Sequence, residues 1–321
     1  MSKFIGRRGT LLVAKESSRG TATTANGFWV PRSTISFDDK VETAREDEAL
    51  GKIADSDNLF VTQKMANGEI ESNLDDKLLG IFLTSLFGSS PVTTGSGTYT
   101  HTYSVNNSNQ HQSLSLLYQD PDTARLYPLS VVDSFKITVE QNALVMFAVG
   151  FMSRGGKQWT AQTADFTGLG NKFLHQHLVL KTADTVAGLG AATGISVKSL
   201  ELTINTNAMT DSVLGTVEPE DILNQQFSVE GTLTLNKEDE TYRELMLSGN
   251  KKAMSISFNR ASNSQFNMTL PRVDFTEWEQ DRTLNSIVSQ TINFKGNYDA
   301  TNGLDIISAC TLVNTFSGTG Y

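Results

Sequence analysis

The sequence predicts a mainly β protein built as two tandem β-sandwich or barrel domains, residues 1–160 and 161–321, each with one flanking α-helix and a long loop. Three observations carry that expectation. Apolar and polar residues alternate through many short segments separated by Gly, Asn, Ser and Asp, the period of strands with one buried face. Helical spacing between plausible caps is clear in only two stretches. The strand-to-helix units containing those stretches repeat at a nearly constant offset, about half the chain apart, which points to an internal duplication.

The clearer unit is 225–249. Phe227, Val229, Leu233 and Leu235 fall on alternate positions and read as a strand. Asn236 is placed to cap a helix whose first turn carries Glu238, Asp239 and Glu240, favourable against the helix dipole. Tyr242, Leu245 and Met246 share one helical face, and Gly249 suits the C-terminal cap. In 66–88, Gly68, Ile70 and Asn73 match Gly231, Leu233 and Asn236, each 163 positions on. Asp75 and Asp76 repeat the acidic first turn; Leu78, Phe82 and Leu86, with Leu79 and Leu83, give the apolar face; Gly88 ends it. Upstream, Leu50-Gly51-Lys52-Ile53 faces Leu214-Gly215-Thr216-Val217 at nearly the same offset. Each helix reads as a brace packed on its own barrel.

The remaining elements follow in chain order. Residues 1–27 hold a short apolar patch at 10–14 and then a small, polar run that reads as an extended arm or loop. Residues 28–37 read as a strand entered at a Trp-Val-Pro corner. Residues 38–57, the most charged stretch, read as a long exposed loop, a kind of segment that usually carries function. A Gly/Ser/Thr-rich bridge at 89–97 precedes strands at 98–105 and 114–120. Strands at 129–140 and 144–151 meet at a Gln141-Asn142 turn. Residues 157–172 are the crossover between domains. The second half opens with a strand at 174–181 and a Gly/Ala-rich loop; 197–205 alternates clearly. Residues 207–223 then hold the place of the charged loop. Strands at 253–259, 265–270, 272–279 and 286–297 follow, with a short one at 306–313.

Composition removes several function classes. A net charge of −9 disfavours a binder of the DNA backbone, which needs a basic face. No apolar run is long enough to span a membrane, and the N-terminus lacks a signal-peptide core. Cys310 is alone, so no disulfide framework or cysteine metal site is expected. His175 and His177 would lie on one side of a strand, a two-ligand arrangement that needs a third ligand; exposed histidines at a crossover are the plainer reading. Gly168-Leu169-Gly170 and Gly188-Leu189-Gly190 lack the context of a phosphate loop, and no nucleophile elbow or zinc-protease motif is present. Asp75-Asp76 and Glu238-Asp239 fit helix N-termini better than an acid/base couple. No catalysis, cofactor or metal is expected.

Taken in order, the arm before Trp29-Val30-Pro31, the charged loop, 68–88, the His101-Thr102-Tyr103 strand, 197–205, 229–249, Leu270-Pro271-Arg272-Val273 and 294–298 resemble the major tail tube proteins of long-tailed bacteriophages. The resemblance covers most of the chain as an order of strands, loop and helix. It implies a sandwich or barrel flanked by a helix and a long loop, in subunits that join sheets edge to edge into stacked rings. The partners implied are the chain itself and other tail proteins (tape measure, terminator, tip), with genomic DNA passing through without specific binding. The implied location is the virion tail, after synthesis in the host cytoplasm. Family rings hold six single-domain copies, or three where the fold is duplicated; the duplication favours a trimeric pseudo-hexamer. The loop would reach the next ring through Asp38, Asp39, Lys40, Glu42, Arg45, Glu46, Asp47 and Glu48, a salt-sensitive contact. A β-rich virion adhesin is the competing reading, and would give discrete soluble oligomers and no tubes.

Overall fold

Alternation of apolar and polar side chains is realised as antiparallel ladders through most of the chain. The computed structural model describes residues 3–53 and 58–321. Its first half contains β1 (Thr10–Lys15), β2 (Phe28–Val30), β3 (Arg32–Ile35), β4 (Asp38–Arg45), β5 (Leu59–Asn73), helix α1 (Leu79–Phe87), β6 (Val92–Ser96), β7 (Thr98–Tyr103), β8 (Leu114–Gln119), β9 (Ala124–Val139), β10 (Met146–Arg154) and β11 (Lys157–Gln158). The second half contains β12 (Leu178–Ala183), β13 (Val197–Asn205), β14 (Ala208–Asp211), β15 (Asp221–Asn224), β16 (Ser228–Asn236), α2 (Thr241–Ser248), β17 (Lys252–Ala261), β18 (Ser264–Asp281), β19 (Ser289–Gly296) and β20 (Ala309–Asn314).

The ladders form two layers, a β-sandwich. One layer runs β4–β5–β10–β9–β13–β16–β19–β18, with β3 on the same edge of β5 as β4. The other has two parts, β2–β1–β8–β9–β11 and β12–β17–β18–β20–β7–β6. Strands β9 and β18 belong to both layers. In β9, pairing with β8 stops at Ser130 and pairing with β10 starts at Val131, beside Pro128 and Leu129, whose φ is 54°. In β18, pairing with β17 shifts register across Pro271 and ends at Val273, opposite Lys252, where pairing with β19 begins. A proline cannot donate to a ladder, so it sits where a strand leaves one set of partners for another. Aromatic rings fill the interior: Phe82 lies 5.3 Å from Phe147 and 6.2 Å from Phe151, and Phe173 lies 5.9 Å from Phe258.

Both expected helices are present and end at left-handed glycines, Gly88 (φ 84°) and Gly249 (φ 65°). Their starts differ from expectation. Asp75 Oδ1 accepts the Lys77 and Leu78 N–H groups at 2.9 and 3.1 Å, so this carboxylate caps α1 and Asn73 ends β5. Asn236 ends β16; α2 begins four residues after the expected cap's neighbour Lys237, where Asp239 accepts the Thr241 N–H at 3.0 Å. A competing side-chain carboxylate nearer the first turn displaced each asparagine. Helix α1 is buried on every side, not on one face: Leu78, Phe82 and Leu86 meet the sheets, while Gly80 lies under the Tyr321 ring. Around α2 the packing is one-sided, with Tyr242 buried and Leu245 and Met246 half-buried.

Several segments read as irregular are strands. The 10–14 patch is β1, with Leu11 to Ala14 buried, because it pairs on both edges. Residues 38–45 are exposed as expected but form strand, since β5 offers them a ladder; residues 54–57 lie outside the described residues. The 89–97 bridge contains β6. The strands expected at 265–270 and 272–279 are one, β18. His175 and His177 sit in a 3-10 turn rather than on a strand.

Candidate assembly surfaces

Among the described residues, the eight-stranded layer has two free edges. One is β3 and β4, paired only to β5; the other is the far side of 274–281, paired only to β19. At its centre β9 pairs with β13 over six residues, Leu200 with Val139 through Asn205 with Ser134. The two halves of the chain are therefore already joined edge to edge by main-chain hydrogen bonds. Lys136 and Glu201 add an ion pair of 2.8 Å across that junction.

One face of this layer packs inward through Ile70, Phe135, Val149, Leu202, Leu233 and Ile292. The other face carries Glu69, Glu71, Glu201, Glu230, Glu277 and Glu279 among Ser, Thr and Asn, against Lys136 and Lys295. Lys295 pairs with Glu230 at 2.7 Å. Lys136 and Lys295 each meet a glutamate, and the six glutamates outnumber these two lysines, so this part of the face is acidic and disfavours phosphate.

The hairpin of β4 and β5 projects beyond the layer. All eight predicted contact residues lie on it: Asp38, Asp39, Lys40, Glu42 and Arg45 on β4, and Glu46, Asp47 and Glu48 in its tip. Asp39 faces inward at the base, where its Oδ1 accepts the Gly156 N–H at 2.8 Å and its Oδ2 lies 3.7 Å from Arg125. Glu46 accepts from Asn58 Nδ2 at 3.1 Å and so closes the tip. The charges have company that the sequence reading missed. Val41, Leu59, Phe60 and Val61 are exposed on the same hairpin, as are Leu50 and Ile53 in its tip. The Leu-Phe-Val run of the return strand was the available signal: three apolar residues in a row cannot all face one side of a strand.

The hairpin of β14 and β15, with its 212–220 turn, packs on the β4–β5 hairpin and its surroundings. Lys64 N–H donates to Val217 C=O at 2.7 Å, Gln63 Nε2 to Ser212 Oγ at 2.9 Å, and Arg154 Nε to Pro219 C=O at 2.9 Å. Lys157 and Glu218 approach to 3.4 Å.

The acidic pair at α1 is structural. Asp75 is buried, its Oδ2 has no hydrogen-bond partner among the described residues, and burial pushes its carboxyl up from the ordinary range. Asp76 ties distant segments together: it accepts from Asn171 N–H at 2.8 Å and from Ser264 Oγ at 2.6 Å, while its carbonyl accepts from Asn314 Nδ2 at 2.7 Å. His101 lies beneath Tyr321 and bonds to Thr93, Asn314 and Phe316; burial pulls its pKa down. His177 Nδ1 accepts the Leu174 N–H at 3.1 Å, and among the described residues no cluster of three metal-ligating side chains occurs. What the arrangement offers is edges, an arm and an acidic wall.

A family model for the phage tail tube protein matches residues 6–296. No curated protein matches the chain.

Proposed function

Because the chain belongs to the phage tail tube protein family, we propose that this structural tail protein closes rings of three copies, stacked into a hollow tube, with each copy supplying two four-stranded repeats to one circular sheet. The observation that carries this reading is the β9–β13 junction. It joins two units of equal strand order, β4–β5–β10–β9 and β13–β16–β19–β18, and leaves unlike edges at the two ends. Unlike edges favour a head-to-tail contact that repeats until it closes.

Register supports treating 1–160 and 161–321 as repeats. Gly68 pairs with Phe151, and Gly231 with Phe294. A bulge follows at the same point in each unit, at Asp133 between the residues facing Gly150 and Phe151, and at Thr276 between those facing Asn293 and Phe294. Eight strands closing on themselves would leave a barrel filled by side chains; three copies give roughly 24 strands and a lumen ~45–50 Å across from backbone to backbone, at about 4.8 Å per strand and ordinary tilt. The acidic face is the wall of that lumen, which repels a passing DNA backbone. The β4–β5 arm reaches the next ring, where Asp38, Lys40, Glu42, Arg45, Asp47 and Glu48 set alignment and respond to salt. Tape-measure, terminator and tip proteins meet the tube at its lumen and its ends in the virion.

Negative-stain microscopy with native mass spectrometry of released rings tests the reading. Hollow rods whose rings hold three chains are expected. Discrete particles at every salt concentration would overturn the tube, and six chains per ring would overturn the repeat.

A further inference from the structure

Within the chain, the segment leading into the second half fills a slot on the first. Phe173 N–H donates to Leu74 C=O at 3.0 Å, and Val145 N–H donates to Phe173 C=O at 3.1 Å; Leu74 N–H donates to Val145 C=O at 2.8 Å beside them. Leu174 bridges Leu144, and the Phe173 ring is fully buried. A 3-10 turn at His175–His177 follows, then β12, which pairs antiparallel with β17, the neighbour of the bent strand β18.

The N-terminus repeats this order. Lys3-Phe4-Ile5 parallels Lys172-Phe173-Leu174 and is followed by a 3-10 turn at Gly6–Arg8. Then comes β1, paired antiparallel with β8, the neighbour of the bent strand β9. Arg32 Nη2 donates to the Gly6 carbonyl at 3.1 Å and holds the turn on its own chain. Yet Phe4 and Ile5 are 46 % and 67 % exposed, with nothing like the slot that Phe173 occupies.

The second half carries the counterpart of those backbone groups. Lys237 N–H donates to Val288 C=O at 3.0 Å, where Leu74 donates to Val145 in the first; the offsets are 163 and 143, and 143 also relates Gly150 to Asn293 and Phe151 to Phe294. Among the described residues, Lys237 C=O and Val288 N–H make no backbone hydrogen bond, and these are the groups that correspond to the two bonding Phe173. Leu284 and Ile287 in the turn above are 89 % and 71 % exposed.

We infer that Lys3-Phe4-Ile5 inserts into a second copy of this chain, adding a short strand between its Lys237 and Val288 beneath Leu284 and Ile287. The inference rests on the repeat and ring proposed above, but concerns a different contact. One polypeptide has two leader segments and two slots, and its own fold uses one of each. The leftover leader and the leftover slot lie on opposite halves, so they match between successive copies around a ring. Main-chain bonds set the register and Phe4 supplies the burial.

Cysteines at Ile5→Cys and Ile287→Cys test it, because these positions correspond to the bridged pair Leu174 and Leu144. The native Cys310 is buried and stays out of the reaction. After mild oxidation of assembled rods, a non-reducing gel should show a ladder of linked chains ending at three, absent from either single variant. Rods that give only monomers or an internal loop overturn the contact and leave the tube standing. Phe4→Asp should raise the concentration needed for assembly by roughly tenfold or more, the loss of about half a buried aromatic side chain. If the double variant does not assemble, hydrogen exchange on unmodified rods decides: Phe4, Ile5 and Val288 amides no slower than in the dispersed subunit overturn the contact. If the unmodified chain itself forms no rods, a double variant that still ladders keeps the contact and sinks the tube, and one that does not ladder sinks both.

Discussion

Replacing Leu59, Phe60 and Val61 together with serine strips the apolar return strand of the β4–β5 arm without reaching the core. The three side chains are 54 %, 52 % and 41 % exposed, so about half of each remains to be covered by a partner. Covering half of a large apolar side chain is worth about 1–1.5 kcal/mol, so the three together contribute ~3–4 kcal/mol per contact. An exposed ion pair contributes only about 0–1 kcal/mol. The serine variant should therefore need ~10²–10³-fold more protein to assemble. Neutralising the charges by Asp38→Asn, Glu42→Gln, Asp47→Asn and Glu48→Gln should shift that concentration by about tenfold or less, and flatten its salt dependence. Both variants should unfold within about 0.5 kcal/mol of the native chain, since the substitutions sit on an exposed hairpin. Sedimentation across a dilution series, with negative-stain images of the pellets, reads the assembly threshold. A serine variant that assembles at the native concentration, beside a charge variant that fails, would refute the ranking of apolar contact over charge.

Two predictions concern the subunit alone. Gly231→Ala places a Cβ 2.4 Å from the Phe294 ring and 2.5 Å from the Glu201 carbonyl oxygen, so it should cost about 1–3 kcal/mol by crowding; an unchanged urea midpoint would contradict that close approach. Burial holds His101 and His111 below the ordinary imidazole pKa, so below about pH 6.5 the unfolded chain takes up protons that the folded one refuses. Stability should be full above that pH and fall as pH drops through it, with a shallower slope in His101→Gln. Asp75 acts with opposite sign, since its raised pKa lets the folded chain bind a proton first, and that contribution is confined to the carboxylate range. Urea midpoints equal at pH 7.5 and 5.5 would contradict the histidine account.

The strand content and both helix C-terminal ends were legible because each depends on local periodicity or on a glycine that tolerates a left-handed turn; the acidic residues expected in the first turns, Asp75, Asp76, Glu238, Asp239 and Glu240, instead lie ahead of the helices. The match of Gly68 with Gly231, on which the proposed repeat rests, has a similar basis: at both, a Cβ would strike neighbouring atoms. What escaped depends on distant partners. Nothing local to Thr10–Lys15 distinguishes an apolar patch in an arm from a strand; β2 and β8 on its two sides make the difference. Helix α1 could be read as amphipathic, but its polar side is covered by Tyr321 from the far end of the sequence. The candidate surfaces were legible as charge at 38–48 and not as apolar area. Whether Phe4 or Phe60 faces a core or the outside is fixed by what the fold leaves unpaired.

The β9–β13 junction has a kinetic meaning. Main-chain contacts between edges are slow to find when both strands must diffuse together, because each encounter loses translational and rotational freedom, about 4–15 kcal/mol at standard concentration. Inside one polypeptide the same contact forms at an effective concentration of millimolar order, fixed by the connecting chain. In the proposed ring of three copies, every second join would thus be independent of protein concentration. Only the joins between polypeptides remain sensitive to it, so dilution should arrest growth between whole copies and never between half-copies.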